Sequence, residues 1–318
     1  MTPSASGTAA ANHETRSPMK KLNGWILYNG SLKSPKFQEH IDWLSKSIAN
    51  YGMGCVEVHN GMVPALIAGE QIALRPGLDL GLPDFAVFWD KDVRLGLQLE
   101  AMGLRLFNPA SVVATCDDKS MTHIALAAQG IPMPKTVIAP LIFPGHSEHD
   151  KHFLEYVQDE LKFPMVVKEC FGSFGAQVYL ANNADELTAL HRRLIYTPHL
   201  YQQFISSSFG RDVRIQVVGE QVVASVLRVS DHDFRANVTN GGRMEPFQPP
   251  REFTDMAVRC SRVLGADFAG VDLLFGPDGE PVLCEVNSNA HFKNLYNCTG
   301  VDVADHIARY IVKVMTHG

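Results

Sequence analysis

A carboxylate and an amide two residues apart close an apolar strand: Glu285 and Asn287 in "VLCEVN". Side chains of a strand alternate between faces, so these two share one. A second acid, Asp272, ends the run "AGVD", and "PDGE" between the two segments carries the Asp-Gly pair of a tight hairpin turn. Asp272 and Glu285 lie seven and six residues from Gly279, so the pairing should set them nearly opposite each other. Three oxygen donors on one face of paired strands suit Mg²⁺, a hard ion that takes a few carboxylates and completes its shell with phosphate and water. Each acid alone could serve as a cap or ion-pair partner; the three together favour metal.

Cations fit the same chemistry. Lys168 ends "FPMVVKE", a strand too apolar to carry a charge without a use or a route to water. Lys119 falls in the first turn of a helix that Asp117-Asp118 can cap and that runs to Gly130. "FGSFG" (171–175) bends between two strands and can turn backbone N–H groups toward a phosphate, although it matches neither a Walker loop nor GxGxxG. Arg214, Arg228 and Arg235, with Asn237, are candidates to hold a carboxylate or a transferring phosphoryl group bidentately. The histidines, including His149, His152 and His291, form no HExxH or Ser-His-Asp pattern.

The elements that must position these groups are legible from periodicity. "NGWILYNG", "GCVEVHN" and "FAVFWD" read as short strands separated by a helix opening at Ser34-Pro35 and followed by one over 92–103, an α/β unit with a mainly parallel sheet closed by "LRLFNPA". "IFPGHSEHDKH" reads as a surface loop. "FPMVVKEC", "AQVYLAN", "LYQQFI", "RDVRIQVVG" and "QVVASVLRVS" are strands, with a helix from 185 to about 196. A Gly/Asn-rich stretch (231–243) precedes a helix over 251–264 stopped by Gly265, and a terminal helix (302–315) puts Val303, Ile307, Ile311 and Val314 on one face. We divide the chain into a disordered tail (1–18), an N-terminal α/β domain (19–112), a central subdomain (113–198) and a C-terminal subdomain (199–318).

Composition narrows the field. A hydrophobic content of 46% with 19% charged residues over 318 positions describes a globular chain with room for several cores. Lys+Arg 28 against Asp+Glu 34, a net charge of −6, argues against a nucleic-acid partner. No apolar run reaches the roughly 20 residues a membrane span needs. The six scattered cysteines make no CxxC pair, as expected of reduced thiols in a cytoplasmic protein.

The order Lys119, Lys168, glycine loop, "YQQFI", Asp212-x-Arg214, "DFRAN", Asp272, Glu285-x-Asn287 resembles the ATP-grasp superfamily, and within it the RimK-type, LysX-like amino-acid ligases, over roughly residues 105–315. The resemblance implies an ATP-grasp fold, α+β in its second half, behind an N-terminal parallel α/β domain. It implies ATP between two subdomains, with Lys119 and Lys168 on its phosphates, Gly172, Ser173, Phe174 and Gly175 closing over them, and adenine against the backbone of Gln203, Phe204 and Ile205. Gln203 stands where such proteins usually have Glu. Asp212 would face the ribose, and Asp272, Glu285 and Asn287 would hold two Mg²⁺ ions, with Mn²⁺ a possible substitute. The implied reaction activates an acceptor carboxylate as an acyl phosphate, which an amine then displaces. Lys168, Arg214 and Arg228 would be its catalytic cations, with Arg235 and Asn237 on the phosphate or substrate. The acceptor would be a peptide, a protein C-terminus, a carrier or a small molecule, the amine an amino acid, and the assembly a homodimer or homotetramer. Two other readings stay open here: a small-molecule kinase on the same fold, and a non-catalytic nucleotide-binding module.

Overall fold

The computed structural model describes residues 21–75, 81–145, 151–173, 175–237 and 241–317. The tail (1–18), His149 and Phe174 lie outside the described residues.

The N-terminal unit runs β1 (Asn23–Tyr28), α1 (Pro35–Asn50), β2 (Gly54–His59), a small hairpin of β3 (Ala65–Ala68) and β4 (Gln71–Leu74), β5 (Phe85–Trp89), α2 (Val93–Ala101) and β6 (Arg105–Phe107). Its sheet, ordered β2-β1-β5-β6, is parallel throughout. "WIL" and all of β5 are buried, as expected where both faces are covered. Gly24 is required at the centre: a Cβ there would lie 2.3 Å from the Phe85 ring.

The central unit runs α3 (Ala110–Asp117), α4 (Lys119–Ala127), β7 (Thr136–Ile138), α5 (Lys151–Leu161), β8 (Met165–Glu169), β9 (Val178–Ala181), α6 (Ala184–Leu194) and β10 (His199–Gln203). Its antiparallel sheet is ordered β7-β10-β8-β9. Met165 and Val167 pack with Val157 and Leu161 of α5 and Leu187 of α6. The alternation of β8 therefore turns Val166 and Lys168 the other way, into the cleft.

The last third runs β11 (Arg211–Val218), β12 (Gln221–Val229), β13 (Arg243–Pro246), α7 (Arg251–Leu264), β14 (Phe268–Phe275), β15 (Pro281–Asn287), α8 (Lys293–Thr299) and α9 (Val303–His317). Its antiparallel sheet is ordered β13-β12-β11-β14-β15. Val213, Ile215, Val271 and Leu273 pack with Phe253, Ala257 and Cys260 of α7. The residues between them, among them Asp212, Arg214 and Asp272, face the cleft. Gly265 closes α7 in the left-handed region at φ +74°. α9 buries Val303, Ile307 and Ile311 in one core with α1 of the N-terminal unit, tying the two ends of the chain together.

The structure corrects several expectations. β10 belongs to the central sheet, so sheet membership moves the boundary drawn at 198 to beyond Gln203. The boundary at 112 falls inside α3, whose Val112 and Cys116 pack in the core of the C-terminal sheet. His152 sits in α5 rather than in a loop, and β13 and α8 lie almost wholly in stretches to which the sequence reading assigned no element. Asp118 alone caps α4, accepting from the Ser120 and Met121 N–H groups, because Asp117 ends α3.

Candidate active site

A cleft of about 540 Å³ is lined by residues of all three units. On its C-terminal side the hairpin register pairs Asp272 directly with Glu285 and Gly270 with Asn287. The ladder is irregular after Asp272: Leu273 pairs with Leu283, so Cys284 is an extra residue that restores the register of Glu285. The three oxygen donors expected on one face all line the cleft.

Two of the arginines are already engaged there. Arg214 donates from Nε and Nη2 to the two oxygens of Asp272, at 2.7 and 2.6 Å. Arg228 donates to both oxygens of Asp212, at 2.6 and 2.8 Å, and its Nη2 also lies 2.8 Å from Asp272 Oδ2. Asp212, Asp272 and Arg228 are buried, so two cations and two anions compensate each other out of water. Burial pulls the Asp272 carboxyl up, but Arg214 and Arg228 outweigh it and hold it below the ordinary range. Burial dominates at Asp212, which is raised, while its two carboxylate neighbours hold the Arg228 guanidinium above its ordinary value despite burial. We take Arg228 as charged in every state, since both of its partners are within hydrogen-bond distance.

The opposite wall is not compensated. Lys119 and Lys168 are buried, and neither has a carboxylate partner among the described residues. Among the described residues, Lys119 Nζ reaches only the Gly172 carbonyl, at 3.4 Å, and Lys168 Nζ only Cys284 Sγ, at 3.9 Å. Burial pushes the Cys284 thiol up to about 11, so Lys168 faces a neutral sulfur. Two buried ammonium groups without counter-ions call for an anionic ligand.

Between these walls runs the glycine loop. Gly172 sits at φ +141°, and a Cβ on it would fall 2.3 Å from Gln177 Oε1. Gly175 is held by Arg235, whose Nη1 donates to the Gly175 and Val178 carbonyls at 2.7 and 3.2 Å while its Nε and Nη2 grip Asp233. Arg235 thus latches the loop rather than presenting a free guanidinium. Asn237 lines the cleft, as do Ser173 and Gly175. Gln203, Phe204 and Ile205 line the cleft, as do the apolar Val166 and Leu274. The Gln203 side chain is turned outward, its Oε1 accepting from the Lys135 N–H at 3.4 Å. Asp212 also lines the cleft, although both of its oxygens are held by Arg228.

The residues around the three donors fit a divalent metal. Glu285 has no hydrogen-bond or ion-pair partner among the described residues, so its oxygens are open to a cation, and the amide of Asn287 would ligate through Oδ1, its buried and unpaired Nδ2 being a donor only. Asp272 offers its oxygens from between two guanidinium groups.

The N-terminal wall was missed. Asn29, Ser31, Phe37, Trp89, Asp90 and Lys91 reach the cleft, and Lys91 pairs with Asp117 and approaches Ser173 Oγ at 3.4 Å. A signal existed: Asp90 and Lys91 follow the carboxyl end of a parallel strand, where open α/β sheets bind ligands. His291 is also in the wall, 5.0 Å from the Phe37 ring and 4.5 Å from His40. Burial, with His40 and nearby cations, lowers it to about 3 and keeps it neutral.

Comparison with known proteins defines the class. The family model for the RimK-like ATP-grasp domain matches residues 116–311, more than half of the chain, and this protein belongs to that family. The chain is 34% identical over 264 residues to beta-citrylglutamate synthase B of Mus musculus, covering 82% of this chain and 67% of that one. It is 36% identical over 221 residues to a probable alpha-L-glutamate ligase of Xanthomonas campestris pv. campestris, covering 67% and 72%. The match to human N-acetylaspartylglutamate synthase A, 33% identical, covers 74% of this chain but 59% of that protein. The solved ATP-grasp ligase PsnB, bound to a minimal precursor, superposes with a TM-score of 0.68 at 19% identity, covering 92% of this chain and 99% of its own. The chain therefore has the ATP-grasp fold and is an enzyme of the ATP-grasp ligase type, from a family that binds ATP and Mg²⁺. Among the described residues no helix is long and apolar enough to cross a membrane.

Proposed function

We propose that the protein joins a carboxylate to the amine of an amino acid, glutamate first among candidates, at the expense of ATP and through an acyl phosphate. The observation that carries this reading is the pair of buried lysines, Lys119 and Lys168, that share a cleft with Asp272, Glu285 and Asn287. The choice of glutamate is supported by relatives whose names contain a glutamyl product or glutamate itself.

In this reading the triphosphate lies along Lys119 and Lys168 under the glycine loop, with adenine by Phe204, Ile205 and Leu274. Asp272, Glu285 and Asn287 would hold Mg²⁺, two ions in this reading, which would supply neutralisation of phosphate charge during transfer. The acceptor carboxylate attacks the γ-phosphorus and the amine then displaces phosphate from the acyl carbon. The protein's part is positioning and charge balance. Lys168 stabilises the transferring group, and Arg214 and Arg228 fix Asp272 between them and offer positive charge at the acyl end.

The test is phosphate release with ATP and Mg²⁺ against L-glutamate and the other amino acids, each combined with citrate, N-acetyl-aspartate and short peptides as carboxylates. Release that requires both a carboxylate and an amine, with an amide found by mass spectrometry, is expected. A stable phosphorylated product formed without any amine would replace the ligase reading with a kinase.

A further inference from the structure

Among the described residues, two buried acceptor atoms without a donor belong to residues that meet where the N-terminal wall touches the segment after β15. Asp90 is 4% exposed. Its Oδ1 is saturated, accepting from Asn29 Nδ2 at 3.1 Å and from the Lys91 and Asp92 N–H groups at 2.6 and 3.3 Å. Its Oδ2 is buried with no hydrogen-bond partner among the described residues. Asn289 sits against it, donating from Nδ2 to the Asp90 carbonyl at 3.0 Å, and Asn289 Oδ1 is likewise buried without a donor. Both residues line the cleft. Leaving a buried acceptor unmade costs about 1–3 kcal/mol each, so folding gains nothing from this pair as it stands.

The two walls are chemically complementary. The lysine and arginine side is rich in donors and positive charge, which suits phosphate and carboxylate. An ammonium group brings three donors and one positive charge, and the Asp90–Asn289 pair supplies, just beneath the cleft surface, a carboxylate oxygen and an amide oxygen that are unpaired among the described residues. We propose that Asp90 and Asn289 form the subsite for the amino group of the incoming amine, and that Asp90 takes up the proton this group must lose. The inference rests on the ligase reading above.

The step balances. The ammonium gives one proton to Asp90 Oδ2, leaving a neutral amine and a carboxylic acid. The amine lone pair forms the C–N bond, the acyl C–O bond to phosphorus breaks, and phosphate leaves with the electron pair. The second proton of the new bond goes to phosphate. Burial raises the Asp90 carboxyl, offset by its hydrogen bonds from Asn29, Lys91 and Asp92, and so makes it a better proton acceptor than an exposed aspartate. The charged and titratable groups that share its surroundings are Lys91 and Asp92 on its own connection, Asp117 of α3 through Lys91, and Arg214 and His291 on the same cleft. His291 is neutral over the working range.

Hydroxylamine separates the two half-reactions, because it is neutral near pH 7 and traps an acyl phosphate without needing a base. The full-length protein and Asp90→Asn are assayed with the carboxylate pool above, once with hydroxylamine and once with L-glutamate and the other amino acids. Asp90→Asn keeps the oxygen that Asn29, Lys91 and Asp92 bind, so it preserves the local fold. The expected result is hydroxamate formation within about twofold of wild type but ligation to the amino acid lowered by 10²- to 10³-fold, as for removal of a positioned acid–base group. Ligation by the variant should recover as pH rises and the amine arrives deprotonated, which a purely structural role would not produce. Asn289→Ala should raise the KM for the amine more than it lowers kcat. Equal loss of hydroxamate and amide, or amide formation at the wild-type rate, overturns the assignment. Failure of the wild-type protein to form any hydroxamate or amide sinks the ligase reading instead, and this inference with it.

Discussion

The two long walls of the cleft handle buried charge in opposite ways. On the sheet of β11, β12 and β14, Asp212, Asp272, Arg214 and Arg228 neutralise one another through five contacts of 2.6–2.8 Å. On β8 and α4, Lys168 and Lys119 are buried too, with only a thiol and a carbonyl in reach among the described residues. The difference separates charge that is already balanced in the apo protein from charge that awaits a ligand to balance it. A compensated quartet belongs to the apo fold, whereas an uncompensated pair is tolerated at a cost in stability because binding removes it.

The largest effect should come from breaking the compensated side. Arg228→Met leaves Asp212 and one edge of Asp272 buried without a partner, and losing one member of a buried ionic cluster costs about 3–5 kcal/mol. Chemical denaturation should show the midpoint falling by that equivalent. A change below about 1 kcal/mol would mean the quartet is not a structural unit.

Lys168→Met should do the reverse. Removing an uncompensated buried charge leaves apo stability equal or higher, while ligation should fall by about 10²–10³, as when one preorganised transition-state donor is lost. ATP with Mg²⁺ at a hundredfold its Kd should stabilise the wild type by about 2.7 kcal/mol. That thermal shift should vanish in Lys119→Met/Lys168→Met. A double variant that is both destabilised and still shifted by ATP would erase the contrast between the walls.

How much of this was legible depended on whether spacing or packing determined it. The near-facing of Asp272 and Glu285 followed from the turn at Asp278-Gly279, but their direct opposition depends on the extra residue Cys284, which the spacing did not announce. Lys168 stood out because its strand is otherwise apolar. The pairing of Arg214 and Arg228 with the two aspartates was not visible, because it depends on which of three strands lies beside which. α5 was hidden by the polar insertion before it, and β10 was separated from its sheet by α6, so sequence order misassigned it. Asp90 and Asn289 meet across 199 residues, a distance no local pattern bridges.

The smallest effect reports on the contrast most directly. His123 lies one helical turn beyond Lys119, donates from Nδ1 to the Lys119 carbonyl at 2.6 Å, and has Nε2 3.1 Å from the Gln202 amide nitrogen. Burial, and then the charge of Lys168, lowers it from 6.5 to about 4. Between these values the unfolded chain binds a proton that the folded chain refuses, so stability falls as the pH drops from 6.5 toward 4 and is unaffected by this group above 6.5. If the uncompensated lysines contribute to that refusal, Lys168→Met should raise the His123 value and flatten the acid slope, and bound ATP should raise it too by answering the same charge. NMR titration of the imidazole protons, with and without ATP·Mg²⁺, reads both. An unchanged His123 titration in both experiments would show that desolvation alone sets its value, and that the lysine wall is already screened before any nucleotide arrives.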